Sequence, residues 1–210
     1  DADAKTGNTE TKGNKIYVMT TTPDHGWTGQ GAAYAAAFVE EINAGKHGDY
    51  TAYHYTASDG STQNDQVDEI LANGDAAGVM FWGCDDSAAA GQEALTAAGI
   101  PWISYDRIIE STMGNAVLNY SGNNWQSGAA VAYYLVKNGM TPDSTLVQFS
   151  GDTSTVSGWR TEGFKKFLLG EEDYNDAENN VTYTIEDIND GKAWTQEEVD
   201  KLYASNYFDY

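Results

Sequence analysis

At 210 residues the chain can bury one large core or two smaller ones, and its 40% hydrophobic content is that of an ordinary globular protein. The 11 Lys and Arg residues against 32 Asp and Glu give a formal net charge of −21, a field that repels nucleic acid and anionic lipid, with no basic patch to offset it. No run approaches the roughly 18 consecutive apolar residues of a membrane span, and no secretory apolar region is present.

Residues 1–14 carry no bulky apolar side chain and are expected to form a disordered polar leader. From Lys15 a unit then recurs: an apolar strand, a polar turn, a helix and a glycine-containing stop. Ile16–Thr20 leads into a Gly29–Asn43 helix, and Thr51–Thr56 into Ser61–Asn73, which stops at Gly74. Ala77–Trp82 is followed by Ser87–Ala98, and Ile100–Tyr105 ends at Asp106-Arg107. Ala116–Tyr120 leads to Trp125–Asn138, and Thr145–Phe149 to Ser157–Leu168. Beyond Gly170 the pattern loosens into an acidic loop over 171–180, a seventh strand over Val181–Ile185 and a helix over Gln196–Tyr203. Near-continuous apolar strands alternating with helices predict an α/β fold of doubly wound parallel sheets. The apolar run Tyr207-Phe208 near the end suggests a sequence that stops before its last domain closes.

Several chemistries lack their motifs. No glycine-rich dinucleotide fingerprint follows the first strand, and neither a phosphate-binding loop nor a Gly-x-Ser-x-Gly nucleophile elbow occurs. The three histidines, His25, His47 and His54, are not at metal-ligand spacing, and Cys84, the single cysteine, cannot form an intrachain disulfide. Cys84 reads as a small buried apolar group just past a strand. No cofactor, metal or catalytic residue is therefore expected. What recurs is a polar or aromatic residue at the carboxyl ends of strands, where open α/β sheets bind ligands. The first strand supplies Asp24, His25 and Trp27, the third Asp85 and Asp86, and the fourth Asp106 and Arg107. Arg160 follows the sixth strand, and Trp194 precedes the last helix. Carboxylates accept from paired hydroxyls, arginine donates to ring oxygens and indoles cover C–H faces, a set suited to a polyhydroxylated ligand. Each has a plainer alternative: Asp106-Arg107 as a surface ion pair, Asp85 or Asp86 as a helix cap, Trp27 as core. Trp82 and Trp102 read as buried strand residues; Trp125 and Trp159 are open.

Four stretches together resemble the periplasmic-type sugar-binding proteins of ABC transporters, in the ribose/galactose-binding class. They are Thr22-Pro23-Asp24-His25-Gly26-Trp27, Gln66–Gly74 with the following strand, Ala98-Gly99-Ile100-Pro101-Trp102-Ile103-Ser104-Tyr105-Asp106-Arg107, and Arg160-Thr161-Glu162-Gly163-Phe164. The resemblance implies a two-lobed type I periplasmic-binding-protein fold, with a first lobe over 15–121 and an incomplete second lobe over 122–210. It implies sugar contacts from Asp24, Trp27, Asp106 and Arg107 in the first lobe and from Arg160 and Trp194 in the second, Trp194 closing over the ring. His25-Gly26 departs from the family's Asn or aromatic pairs, and members run about a third longer.

The expected function is that of an extracytoplasmic solute-binding protein. It would take a sugar into an interlobe cleft by hinge closure and deliver it to an ABC permease, without covalent chemistry. A monomer tethered through a lipid anchor fits the polar leader. Three alternatives stay open. One is a receptor for a sugar or autoinducer. Another is the effector domain of a transcriptional regulator, although residues 1–14 cannot form the required helix-turn-helix. The third is an α/β enzyme using Asp24 and His25 as an acid–base pair.

Overall fold

The computed structural model describes residues 13–24, 26–149, 154–204 and the backbone of 207–208. Its first strand explains the rest. In β1 (Lys15–Thr21), Tyr17, Val18, Met19 and Thr20 are all buried in succession, so both faces of the strand are covered. That is the signature of a central parallel strand. It lies between β2 (Thr51–Ala57) and β3 (Ala76–Phe81), in a five-stranded, all-parallel sheet of order β2-β1-β3-β4-β5. The outer strands are β4 (Trp102–Tyr105) and β5 (Leu118–Tyr120).

Helix α1 (Gly26–Asn43) covers one face, where Val39 and Ile42 pack on Val18 and Ala52. Helices α2 (Gly60–Asn73) and α3 (Ala89–Ala97) cover the other, where Val67, Ile70 and Leu95 join Tyr17, Met19, Phe81 and Trp102. The first crossover thus leaves on one face and the next two on the opposite face, which puts the topological switch between β1 and β3. Asp59 caps α2 by accepting from the Thr62 backbone N–H at 2.7 Å, and Gly74 ends it in the left-handed conformation at φ 66°. On the α1 face, Met80 pairs in register with Ile103, and Ile103 with Leu118. Here β5 is uncovered: Leu118 and Tyr120 are exposed.

The chain divides into two compact units, one ending at Ser121 and one beginning at Gly122. The second has its own core of Ala129, Ala132, Phe164, Phe167, Leu168, Ile185, Trp194 and Leu202. Helices α4 (Asn124–Lys137) and α5 (Thr155–Leu168) cross at two glycines. A Cβ on Gly128 would lie 2.0 Å from the Arg160 carbonyl oxygen, and one on Gly163 would lie 2.1 Å from that of Trp125. Helix α6 (Gln196–Ala204) adds Val199 and Leu202 to the same core. Strand β6 (Gln148–Phe149) pairs in parallel with β9 (Tyr207–Phe208).

Four expectations change. Residues 171–180 are not wholly a loop: β7 (Tyr174–Asp176) forms an antiparallel hairpin with β8 (Val181–Tyr183), so the expected seventh strand is shorter and joins no parallel sheet. The Tyr183 ring stacks on Tyr133 at 4.4 Å, which anchors the hairpin on α4. Helix α1 begins at Gly26, which brings Trp27 into its first turn. Strands β4, β5 and β6 are also shorter than expected. Asn14, read as part of the leader, belongs to the first unit, its carbonyl accepting from Thr51 N–H at 3.0 Å and its amide donating to Asp49. Residues 1–12 of that leader lie outside the described residues.

Candidate functional site

The carboxyl ends of β1, β3 and β4 converge on one edge of the first sheet, and side chains tie their loops together. Trp27, 66% exposed, donates its indole N–H to Asp106 Oδ1 at 2.9 Å, joining the loop after β1 to the loop after β4. Arg107 Nη1 donates to the Cys84 carbonyl, joining the loop after β4 to that after β3. Asp24 accepts from the Thr28 hydroxyl at 2.7 Å and so steadies the first turn of α1. Asp106-Arg107 is therefore not an ion pair of neighbours; the two side chains engage different loops.

The scaffold beneath is built from buried polar groups. Gln63 on α2, fully buried, donates to the Trp82 carbonyl at 2.7 Å and accepts from the Cys84 N–H at 2.8 Å, pinning the loop after β3. A buried amide satisfied on both sides holds one loop geometry, because leaving either partner open costs the full desolvation penalty. The Cys84 thiol donates to the Ala57 carbonyl at 3.1 Å, and burial pushes its pKa up to about 12. It is a structural thiol, with no thiolate available near neutrality. Tyr105, just before Asp106, donates its hydroxyl to the Met19 carbonyl at 3.1 Å, and burial raises its pKa.

In the second unit Arg160 on α5 donates Nε–H to Asn124 Oδ1 at 2.9 Å, and Asn124, buried at the start of α4, donates its amide to the Gly122 carbonyl at 3.1 Å. The glycine crossing of α4 and α5 allows this reach. Beside it Trp125 and Trp159 stack at 4.2 Å, and Trp125 donates its N–H to Glu162 at 3.2 Å. Of the two indoles, Trp159 is buried and Trp125 half-buried.

A profile of the periplasmic binding protein domain matches residues 16–207. The chain belongs to the periplasmic binding protein family. No curated protein matches it. Among solved structures, this periplasmic binding protein domain is similar to a carbohydrate transporter solute-binding protein from Chloroflexus aurantiacus in complex with D-glucose, at 23% identity and TM-score 0.58, covering 93% of this chain and 56% of that one. It is similar to an ABC transporter solute-binding protein from Clostridium phytofermentans with bound β-D-glucose, at 18% identity and TM-score 0.58, covering 75% and 49%. A third, an ABC transporter solute-binding protein from Bacillus halodurans C-125 with bound myo-inositol, is 21% identical with TM-score 0.57, covering 75% and 53%. At these identities the likeness establishes the fold. The chain spans about half the length of the solved structures it matches.

Within this periplasmic binding protein fold, the structure brings Trp27 and Asp106 together and ties Arg107 to the neighbouring loop. It treats two other sequence candidates differently. Asp85 caps the short 3₁₀ turn Asp86–Ala88, accepting from Ser87 N–H at 2.8 Å, from its hydroxyl, and from Gly60 N–H at 3.1 Å. Burial alone would raise its pKa, but these hydrogen bonds outweigh burial and hold it below the ordinary carboxylate value. Its acceptor capacity is largely used by the fold, so the structure places Asp85 as a cap, the plainer alternative weighed for it. Trp194 is 4% exposed within the second unit's core, with its backbone N–H donating to the Leu168 carbonyl at 2.8 Å. Packed among Leu168, Ile185 and Leu202, it offers no open ring face here. His25 lies outside the described residues. Asn124 escaped the sequence reading: Gly122-Asn123-Asn124 signals only a turn and a helix start, and the capping group is Asn123, which accepts from Gln126 N–H at 3.2 Å.

Proposed function

We propose that this chain is the ligand-binding part of an extracytoplasmic solute-binding protein that captures a sugar and hands it to the permease of an ABC transporter, with no covalent chemistry of its own. The observation that carries the reading is the Trp27–Asp106–Arg107 group at the carboxyl ends of β1 and β4, in a chain of this family. An exposed indole offers a C–H-binding face, a carboxylate accepts from hydroxyls, and a guanidinium is the N–H donor suited to ring and hydroxyl oxygens. Asp24 follows β1 as Trp27 does, and Arg160, held by Asn124, is the second unit's own candidate for a ligand contact. The bound glucose and inositol of the similar solved structures support a monosaccharide or cyclic polyol. Hinge closure, a lipid anchor, a monomeric state and the two-lobe division at residues 121–122 belong to the same proposal, supported by the family resemblance.

Titration calorimetry against pentoses, hexoses and inositols tests it. At least one is expected to bind, and Arg160→Ala and Asp106→Ala should each abolish that binding while leaving the far-ultraviolet circular dichroism unchanged. Unchanged affinity in both variants would overturn the reading. The bound sugar should also raise the melting temperature by mass action.

A further inference from the structure

Asp106 is one of three non-glycine residues at positive φ among the described residues, at 62°. That conformation costs an L-residue backbone energy and persists where the surroundings enforce it. Here they do so from several sides. The Asp106 N–H donates to the Tyr120 carbonyl at 2.8 Å. The residue before it is moored to β1 through the Tyr105 hydroxyl, and the residue after it to the Cys84 carbonyl through the Arg107 guanidinium. Such mooring aims the carboxylate without fixing its rotation. The remaining constraint is the Trp27 indole N–H on Oδ1, from a ring otherwise two-thirds exposed. Among the described residues Oδ2 accepts no hydrogen bond.

We infer that Trp27 is a positioning residue for Asp106: its indole N–H occupies one carboxylate oxygen, fixes the carboxylate plane and leaves the second oxygen as the acceptor offered to a ligand hydroxyl. This rests on the sugar-binding reading and sharpens it. A carboxylate with both oxygens open grips two adjacent hydroxyls and tolerates rotation of the ligand. One held at Oδ1 accepts from one hydroxyl in one direction, so an epimer with that hydroxyl inverted leaves a desolvated oxygen unpaired. The indole then has two tasks, its face for the sugar's C–H surface and its N–H for the carboxylate. Phenylalanine can perform only the first.

The test has a ligand-free arm and a ligand arm. In ¹H–¹⁵N spectra of the unliganded protein, the Trp27 indole cross-peak is expected to move upfield and exchange faster with water in Asp106→Gly, which keeps the left-handed backbone but removes the acceptor. It should stay near its wild-type position in Asp106→Asn, which retains an oxygen and tolerates that backbone. An indole signal unmoved by Asp106→Gly overturns the inference. In calorimetry with the sugar that binds the wild type best, Trp27→Phe is expected to weaken binding about tenfold and to narrow the gap between that sugar and its epimers. Affinity and epimer discrimination both unchanged in Trp27→Phe would overturn the positioning role. If no sugar binds the wild type, the functional reading fails on its own, while the spectroscopic arm still decides whether the bond exists.

Discussion

A carboxylate at a strand end can serve either a ligand or the fold; Asp85 caps a turn, and Asp106 is the one proposed for the ligand. Asp85 accepts from two backbone N–H groups and a hydroxyl, so Asp85→Ala should lower stability by about 1–2 kcal/mol in urea unfolding while sparing sugar affinity. A loss of binding without a loss of stability would refute that assignment. Its pH dependence has a fixed sign. The folded pKa lies below the ordinary value; the stabilisation is thus complete above the unfolded carboxylate value, about 3.9, and is lost as pH falls through the lower folded one. The melting-temperature gap between wild type and Asp85→Asn should therefore close as the pH drops below about 4. The sequence revealed that both residues follow strands, but not which of them donors surround. Trp194 escaped for a related reason: Lys192-Ala193-Trp194-Thr195 has no periodicity that marks an inward side, and only the packing of α5 and α6 buries it.

The first unit's elements were legible because its central strand β1 is buried on both faces and its helices end at glycines such as Gly74 and Gly99, both at positive φ. Short elements were harder. Strand β7 exists because Tyr174 and Tyr183 stack at 6.0 Å beside Tyr133, a tertiary cause that its three residues do not announce. The glycine crossing of α4 and α5 is likewise invisible in a sequence where Gly128 and Gly163 look like weak helix residues. With a Cβ 2.0 Å from the Arg160 carbonyl oxygen, Gly128→Val must push the helices apart, at an expected cost of about 1–3 kcal/mol. Because Arg160 reaches Asn124 across that crossing, the same variant should weaken sugar binding even at temperatures where it stays folded. Wild-type stability in Gly128→Val would show that the helices have room the close approach denies.

At the scale of the molecule, two compact units sit on one chain of net charge −21. Self-repulsion of that size destabilises a compact state and is screened within about 10 Å at 0.1 M salt. Raising sodium chloride from about 10 mM to about 300 mM should therefore raise the melting temperature, as followed by circular dichroism. A flat or falling response would mean that the acidic residues are already neutralised by local partners. The sign of the charge was plain in composition, as was the alternation that builds the sheet. The bareness of Leu118 and Tyr120 on one face of β5 was not, since strand periodicity cannot say how many helices will cover a face.

The uneven exposure of the tryptophans gives the protein an optical character. Trp82, Trp102, Trp159 and Trp194 are nearly inaccessible, whereas Trp27 stands in solvent. Collisional quenching of the intrinsic fluorescence by acrylamide is accordingly weighted towards Trp27. Iodide, repelled by the acidic surface, lags behind the neutral quencher at low salt. A sugar bound as proposed, on the Trp27 face, would shield that fluorophore first, and its arrival would be written into the protein's own emission without any added label.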